Sequence, residues 1–257
     1  VDGLIVVDLP PEQVLRLDGR DYAISAGAMQ VEAAFGARES LPLRRAGFGA
    51  AQLAVTPGTG LPAALAARDL RADLIALAPD ADHPAPPGGA LYRLNFGAAA
   101  LGLPPEITAR LAQDGRTLPA EVENLSIEAD FGLARPLDRH ARAGMLYPST
   151  IDIAQARLDW GGRRVEISGP LGFDALGRPE GRLMLRLPDW RGWLDLARET
   201  GLLPANRAPM VTAIAGQLAA QSPDGVLALP LSFSGGQMAL GPVPLGPIPV
   251  ALHRPAR

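Results

Sequence analysis

The sequence contains no cysteine and no lysine, and aromatic residues make up only 5% of its 257 residues. The absence of cysteine excludes disulfides, thiolate metal sites and thiol nucleophiles. Nucleic-acid binding requires a basic stripe with aromatic residues beside it. Here all 24 basic residues are arginines, they are scattered, and the formal net charge is −3. We therefore exclude nucleic acid as a partner. Since no run of about 18 apolar residues occurs, no segment of the sequence is predicted to span a membrane.

Residue types that carry catalysis are present only in isolation. The histidines, His83, His140 and His253, lie far apart, and no two have the spacing of metal ligands. Ser168 and Ser232 lack the G-x-S-x-G context of an activated serine. The glycine-rich stretches lack the lysine that a phosphate-binding loop needs. We therefore predict a protein that is not an enzyme and that has no metal or cofactor. Two binding functions come first among the hypotheses, and an enzyme is the third.

Alternating apolar residues indicate a β-rich chain. Hydrophobic residues make up 47% of the sequence and charged residues 20%, as in a folded protein. Residues 1–80 predict an N-terminal β-meander, and 81–89 form a loop rich in proline and glycine. Residues 90–257 predict a C-terminal sheet. Helices are expected near 104–113, 189–200 and 207–220.

The last third has the clearest pattern. Residues 151–160 alternate once a shift near Ala154 is allowed, which predicts a β-bulge. Gly161-Gly162 and Gly235-Gly236 predict hairpin turns, and Asp189 is a suitable N-cap for a helix. The proline-rich tail from Gly241 predicts an edge strand or an extended segment. We expect an α+β fold with a long, curved antiparallel meander and a few helices packed on one face, curling into an open trough.

Three tryptophans and three apolar strand residues are candidates for an apolar groove or interface. These candidates are Trp160, Trp190, Trp193, Leu183, Leu185 and Phe233. Tryptophan combines a large apolar ring with a polar N–H group, which suits the border of a groove or a membrane interface. The alternative is that the tryptophans fasten a helix onto the sheet.

Several motifs of the C-terminal block carry a family resemblance. They are LDWGG (158–162), GRPEG (177–181), DW…GLLP (189–204) and DGVLALPLSFSGGQMALGPVPLG (224–246). With these motifs the block resembles a family of alphaproteobacterial envelope proteins known as domain of unknown function 2125. The resemblance implies a periplasmic body behind an N-terminal signal or membrane anchor. It implies no activity and no catalytic residues.

Two functions follow as expectations. The first is a non-enzymatic periplasmic protein, held at the inner membrane by a segment before Val1, that binds or transfers a lipid or another hydrophobic ligand. This expectation rests on analogy with AsmA-like lipid-handling proteins of the envelope. The second is a structural or assembly module that binds an envelope protein through a sheet edge or through the proline-rich tail.

Overall fold

The fold is described by a computed structural model. The described residues are 3–17, 20–57, 65–80, 84–103, 119–141, 147–199, 201, 203–241 and 243–248. All strands in this part of the chain belong to one open antiparallel sheet of 14 strands. The strands are β1 (Gly3–Leu9), β2 (Glu12–Leu17), β3 (Arg20–Ala26), β4 (Met29–Phe35), β5 (Leu43–Pro57), β6 (Leu65–Leu77), β7 (Ala90–Gly102), β8 (Glu121–Leu133), β9 (Pro148–Trp160), β10 (Arg163–Phe173), β11 (Pro179–Leu187), β12 (Leu227–Ser234), β13 (Gln237–Leu240) and β14 (Val243–Pro247). The predicted β-rich meander is confirmed.

The chain begins with a bent hairpin and then crosses the sheet in sequence order from β5 to β14. β1 pairs with β4 and β2 with β3, so the first four strands form one long hairpin that bends at Pro10-Pro11 and at Gly27-Ala28. Both β3 and β4 then pair with the long strand β5. From β5 to β14 each strand pairs with the next one. β6 pairs with β7 across the proline-rich loop at 81–89, so the sheet is continuous there.

A crease crosses the N-terminal strands. Two rows of residues lie three positions apart along β5, β6, β7 and β8, and both contribute to one buried cluster. One row is Ala26, Leu53, Ala67, Leu101 and Val122, and the other contains Met29, Ala50, Leu70, Ala98 and Leu125. Residues three apart in a regular strand face opposite sides, so the strands twist sharply here. Left-handed backbone at Asp69 (φ 50°) and Asn124 (φ 50°) marks the crease in β6 and β8.

The bulge and the turns predicted for the last third are confirmed. In β9 the register shifts between the pairs Gln155–Glu128 and Ile153–Ala129, which leaves Ala154 as the extra residue. Gly161 and Gly162 both have positive φ (56° and 75°), as the turn between β9 and β10 requires. The tail forms the edge strand β14, where Pro244 and Pro247 lack the donors that a further strand needs.

Two helices, α1 (Trp190–Glu199) and α2 (Ala208–Ala220), connect β11 to β12. They lie where helices were predicted at 189–200 and 207–220, whereas the helix predicted at 104–113 falls outside the described residues. Asp189 caps α1, because its carboxylate accepts a hydrogen bond from the Gly192 N–H at 3.1 Å. α2 packs on β12. Neither helix has the length and hydropathy needed to cross a membrane, and no other helix in the described ranges does.

Candidate functional site

One face of the sheet carries an unbroken row of apolar side chains. Paired residues on neighbouring antiparallel strands point to the same face, so the strand register traces the row. It runs through Val7, Val31, Phe48, Ala72, Phe96, Ile127, Ala156, Ile167, Leu185 and Leu229. The row crosses ten strands. At roughly 4.8 Å between strands it is about 43 Å long.

Two parallel rows widen this surface. One runs through Ile5, Ala33, Ala46, Leu74, Leu94, Ala129 and Ile153. The other runs through Ala76, Tyr92, Phe131, Ile151 and Leu171, and continues through Gly181 to Phe233. We call the three rows together the apolar face. Its largest central side chains, Phe48, Phe96 and Ile127, are only half-buried. Phe48 and Phe96 also pack against the buried cluster of the crease, so the centre of the apolar face is only partly accessible in the described structure.

The helices cover the β12 end of the apolar face. Trp190 is 4% exposed and forms a cluster with Ala215 and Ala219 of α2 and with Leu227 of β12. Leu187 and Leu229 pack against this cluster. The helix pair therefore seals one end of the face.

Residues 134–141, which follow β8, cover another part of the face. The Leu137 N–H donates a hydrogen bond of 2.7 Å to the hydroxyl of Tyr92. The carbonyl of Leu137 accepts a 2.7 Å hydrogen bond from the Leu43 N–H. Tyr92 is 1% exposed and stacks on Phe131 at 5.9 Å. Burial raises the pKa of the Tyr92 hydroxyl, so this group is a neutral structural anchor.

The opposite face is charged and crossed by ion pairs. Arg45 of β5 lies between Glu32 of β4 (3.0 Å) and Asp73 of β6 (2.9 Å). On the next pair of strands, Arg93 makes a bidentate contact with Asp130, at 2.7 and 2.8 Å. A further ladder joins Arg157, Glu166, Arg186 and Asp224. The middle of the sheet is therefore amphipathic, with ion pairs on one face and the apolar rows on the other.

Asp159 fastens the crease to the charged face. Its carboxylate accepts hydrogen bonds from the Arg164 guanidinium at 2.8 and 3.1 Å and from the Asn124 amide at 3.1 Å. The Arg164 hydrogen bonds keep the pKa of Asp159 below its ordinary value, although burial acts in the opposite direction. Asn124 is also the left-handed residue of β8. Arg164 and Asn124 together hold Asp159 ionised, which indicates a structural role for this carboxylate.

The structure places five of the six predicted groove residues in two groups and the sixth, Trp190, in a separate cluster. Leu183, Leu185 and Phe233 lie on one face of β11 and β12, at the end of the apolar face. Trp160 and Trp193 contact each other with ring centroids 6.1 Å apart, at the hairpin between β9 and β10. Their ring N–H groups donate to main-chain carbonyls, those of Pro119 and Arg164 respectively.

Trp190 does not join Trp193, although the two residues are three positions apart on one helix. It packs into the α2–β12 cluster, and the Arg191 guanidinium lies 4.3 Å from its ring centroid. These contacts agree with the alternative in which tryptophan fastens a helix to the sheet. Whether any of the six residues binds a ligand remains a prediction.

The central residues of the apolar face were not among the sequence-based candidates. Phe48, Phe96 and Ile127 lie on β5, β7 and β8. The alternation within each strand was visible in the sequence, but the register that aligns one strand with the next was not.

A cleft of about 420 Å³ lies along the crease. Small residues line it, namely Ser25, Ala54, Ala66 and Gly102. Arg68 and Glu121 also line it and form an ion pair of 2.8 Å with each other. The cleft therefore offers no free charge from this pair for binding a ligand.

Histidine and carboxylate groups do not converge on a metal site in the part of the chain that is described. No group of three or more such side chains there has the arrangement of a metal site. His140 is exposed, while His83 and His253 lie outside the described residues.

The comparisons with known proteins agree with the extent of the sheet. The family model described as an uncharacterized protein conserved in bacteria, domain of unknown function 2125, matches residues 3–249. The chain belongs to this family. The match to domain 2125 covers the whole described sheet, not only the last hundred residues on which the resemblance was based. Searches among curated proteins and solved structures found no match.

Proposed function

We propose that this member of domain family 2125 is a non-enzymatic periplasmic protein that binds or transfers a lipid or a similar long apolar ligand. The observation that carries the proposal is the apolar face, which is continuous across ten strands and backed by a charged face. A partly exposed apolar surface of this extent is typical of an interaction site. The periplasmic location and an alphaproteobacterial origin belong to the proposal and rest on the motifs of the C-terminal block.

The dimensions of the apolar face suit an acyl chain. The hydrocarbon core of a bilayer is about 30 Å thick, so one acyl layer is roughly half of that. The longest row is about 43 Å and can hold an extended chain across several strands. Arginine and carboxylate groups lie on the opposite face of the sheet. Contact with the apolar face therefore removes the ligand's apolar tail from water, while its polar head remains in water.

Mass spectrometry of lipids extracted from the purified protein tests the proposal. We expect phospholipid or another acyl lipid in amounts well above those from an unrelated protein purified in parallel. The variant Ile127→Glu places a carboxylate in the middle of the apolar face and is expected to lose most of this lipid. Glu128→Gln, one residue away on the charged face, is the matched control and is expected to retain it. A lipid content no higher than background in the wild-type protein would contradict the proposal.

The assembly-module function is the second candidate, and the open edge at β1 favours it. β14, the other edge, carries two prolines. Deletion of residues 241–257 separates the two routes, because loss of a specific partner would assign binding to the tail. Retention of that partner would instead favour binding at the β1 edge.

A further inference from the structure

The edge strand β1 lacks the features that protect sheet edges. Natural edges are blunted by proline, lysine, bulges or short length. β1 is seven residues long and contains neither proline nor lysine, and it pairs without a register shift along β4. Among the described strands, β14 at the opposite edge is shorter and carries Pro244 and Pro247. β2, which pairs with β3 alone in the described part of the chain, continues the β1 edge after the bend at Pro10-Pro11. The edge formed by β1 and β2 therefore differs from the β14 edge in its capacity to accept another strand.

The side chains of β1 are apolar on both faces. Leu4, Ile5, Val6 and Val7 are 63%, 54%, 50% and 43% exposed. Four consecutive apolar residues at this exposure are unfavourable in water. The one charged residue of the strand, Asp8, accepts a hydrogen bond from Gln30 at 2.9 Å. Residues 3–7 of β1 therefore present an uncharged surface on both sides of a backbone edge with which no described strand pairs.

From these features we propose that β1 binds an extended, uncharged apolar segment of a partner protein as an added antiparallel strand. The free backbone N–H and C=O groups of an edge strand are satisfied by another strand, and neither a lipid nor a helix face supplies matching groups. The lack of charge on residues 3–7 excludes a partner recognised by ion pairs.

The size of the edge selects a peptide segment over a second copy of the chain. A stable protein interface uses roughly 20–30 residues on each side, whereas β1 offers 7 residues and β2, which continues the edge, offers 6. Main-chain pairing along a short edge is typical of reversible peptide recognition. The contact is therefore transient.

The added strand would extend the apolar face. Ile5 and Val7 are the first residues of two of its three rows. A partner strand in register would place its own alternate side chains next to them, on the same side of the sheet. The inference concerns the backbone edge of β1 and rests on the assembly-module function, the second candidate above, and it does not require that the apolar face binds a lipid.

Peptide binding to the purified chain tests the inference. The probe is a fluorescent, end-capped peptide of seven residues that alternates valine and threonine, and binding is measured by fluorescence anisotropy. We expect saturable binding that weakens at least tenfold for the same peptide with every amide N-methylated, since that peptide has no donors. The double variant Ile5→Lys/Val7→Lys is expected to weaken binding at least tenfold. Leu245→Lys on β14 is the matched control and is expected to bind as the wild type does.

Three results would overturn the inference. They are absence of binding to the wild-type chain, equal binding of the N-methylated peptide, and equal binding by the double lysine variant. Sedimentation velocity tests whether a second copy of the chain occupies the β1 edge. A stable dimer that Val6→Lys dissociates would show that it does, and would also overturn the inference. Val6→Lys also replaces the double variant in the peptide assay if thermal unfolding shows that the double variant is not folded. Lipid content of the same samples is measured separately, so failure of one proposal does not imply failure of the other.

Discussion

Single side chains secure the charged face, and Asp224 illustrates how. It lies between α2 and β12, where it accepts hydrogen bonds from the Ser222 hydroxyl at 2.6 Å and from the Val226 N–H at 3.3 Å. Arg186 of β11 contacts the other carboxylate oxygen at 2.5 Å. The Ser222 hydrogen bond, with Val226 and Arg186, lowers the pKa of Asp224 to about 2. One ionised carboxylate thus joins the helical connection to the sheet.

This pKa predicts a pH-dependent contribution to stability. Because the pKa in the folded state lies below the unfolded value of about 3.9, the contribution is complete at neutral pH and is lost as the pH falls from about 4 toward 2. We expect Asp224→Asn to lower the unfolding temperature at pH 7 and to unfold like the wild type near pH 2. Asp195→Asn, in an exposed pair with Arg198, is the control and should change little at either pH. A constant difference between Asp224→Asn and wild type across this range would contradict the assignment.

At the scale of elements, the crease depends on residues that adopt left-handed backbone. Asp69 and Asn124 have φ near 50° within β6 and β8. Asparagine and aspartate tolerate this region better than other non-glycine residues. The twist that follows brings Leu70 and Ala67 into one cluster although they are three positions apart. The left-handed backbone at Asp69 and Asn124 therefore allows residues that would face opposite sides of a regular strand to be buried in one cluster.

Substitution of Asp69 tests this account of the crease. Asp69→Val is expected to destabilise the fold by about 1–2 kcal/mol, because β-branched residues strain in left-handed backbone. Asp69→Gly is expected to have little effect or to stabilise, since glycine adopts this region freely. Gln52→Val introduces valine at the crease in β5, where φ is not positive, and serves as the control. Urea unfolding measures all three, and equal destabilisation by Asp69→Val and Gln52→Val would refute the backbone explanation.

At the scale of the molecule, the meander order makes the fold nearly one-dimensional. From β5 onward each strand pairs with its neighbours in sequence, and β6, β7 and β8 are each 13 residues long. In such arrays stability is approximately a sum over neighbouring units. An outer strand is released by breaking one strand interface, whereas a central strand is held by two.

Amide hydrogen exchange is expected to follow this gradient. We predict the slowest exchange in β6, β7 and β8 and progressively faster exchange toward β1 and β14, because opening begins where one interface suffices. Mass-spectrometric exchange of the purified chain at neutral pH measures it. Uniform protection from β1 to β14 would show instead that the sheet unfolds as a single cooperative unit.

The sequence by itself determined much of the local structure. Alternation predicted the strands, Gly161-Gly162 predicted a turn, the phase change near Ala154 predicted a bulge, and Asp189 predicted the start of α1. Each of these depends on a few consecutive residues, so local preference was sufficient. The crease was not predicted, because Asp69 and Asn124 are compatible with many conformations in isolation.

Only the tertiary structure decided which strands are neighbours and in what register. That register places Phe48, Phe96 and Ile127 in one row, although 79 positions separate the first from the last. Among the described strands, it also leaves β1 and β2 at one edge of the sheet and the proline-containing β14 at the other. The physical reason is that strand pairing uses main-chain groups that all residues share, so the sequence of one strand does not specify its partner. The scarcity of cysteine, lysine and aromatic residues excluded several chemistries, while the continuous apolar face emerged only from strand pairing.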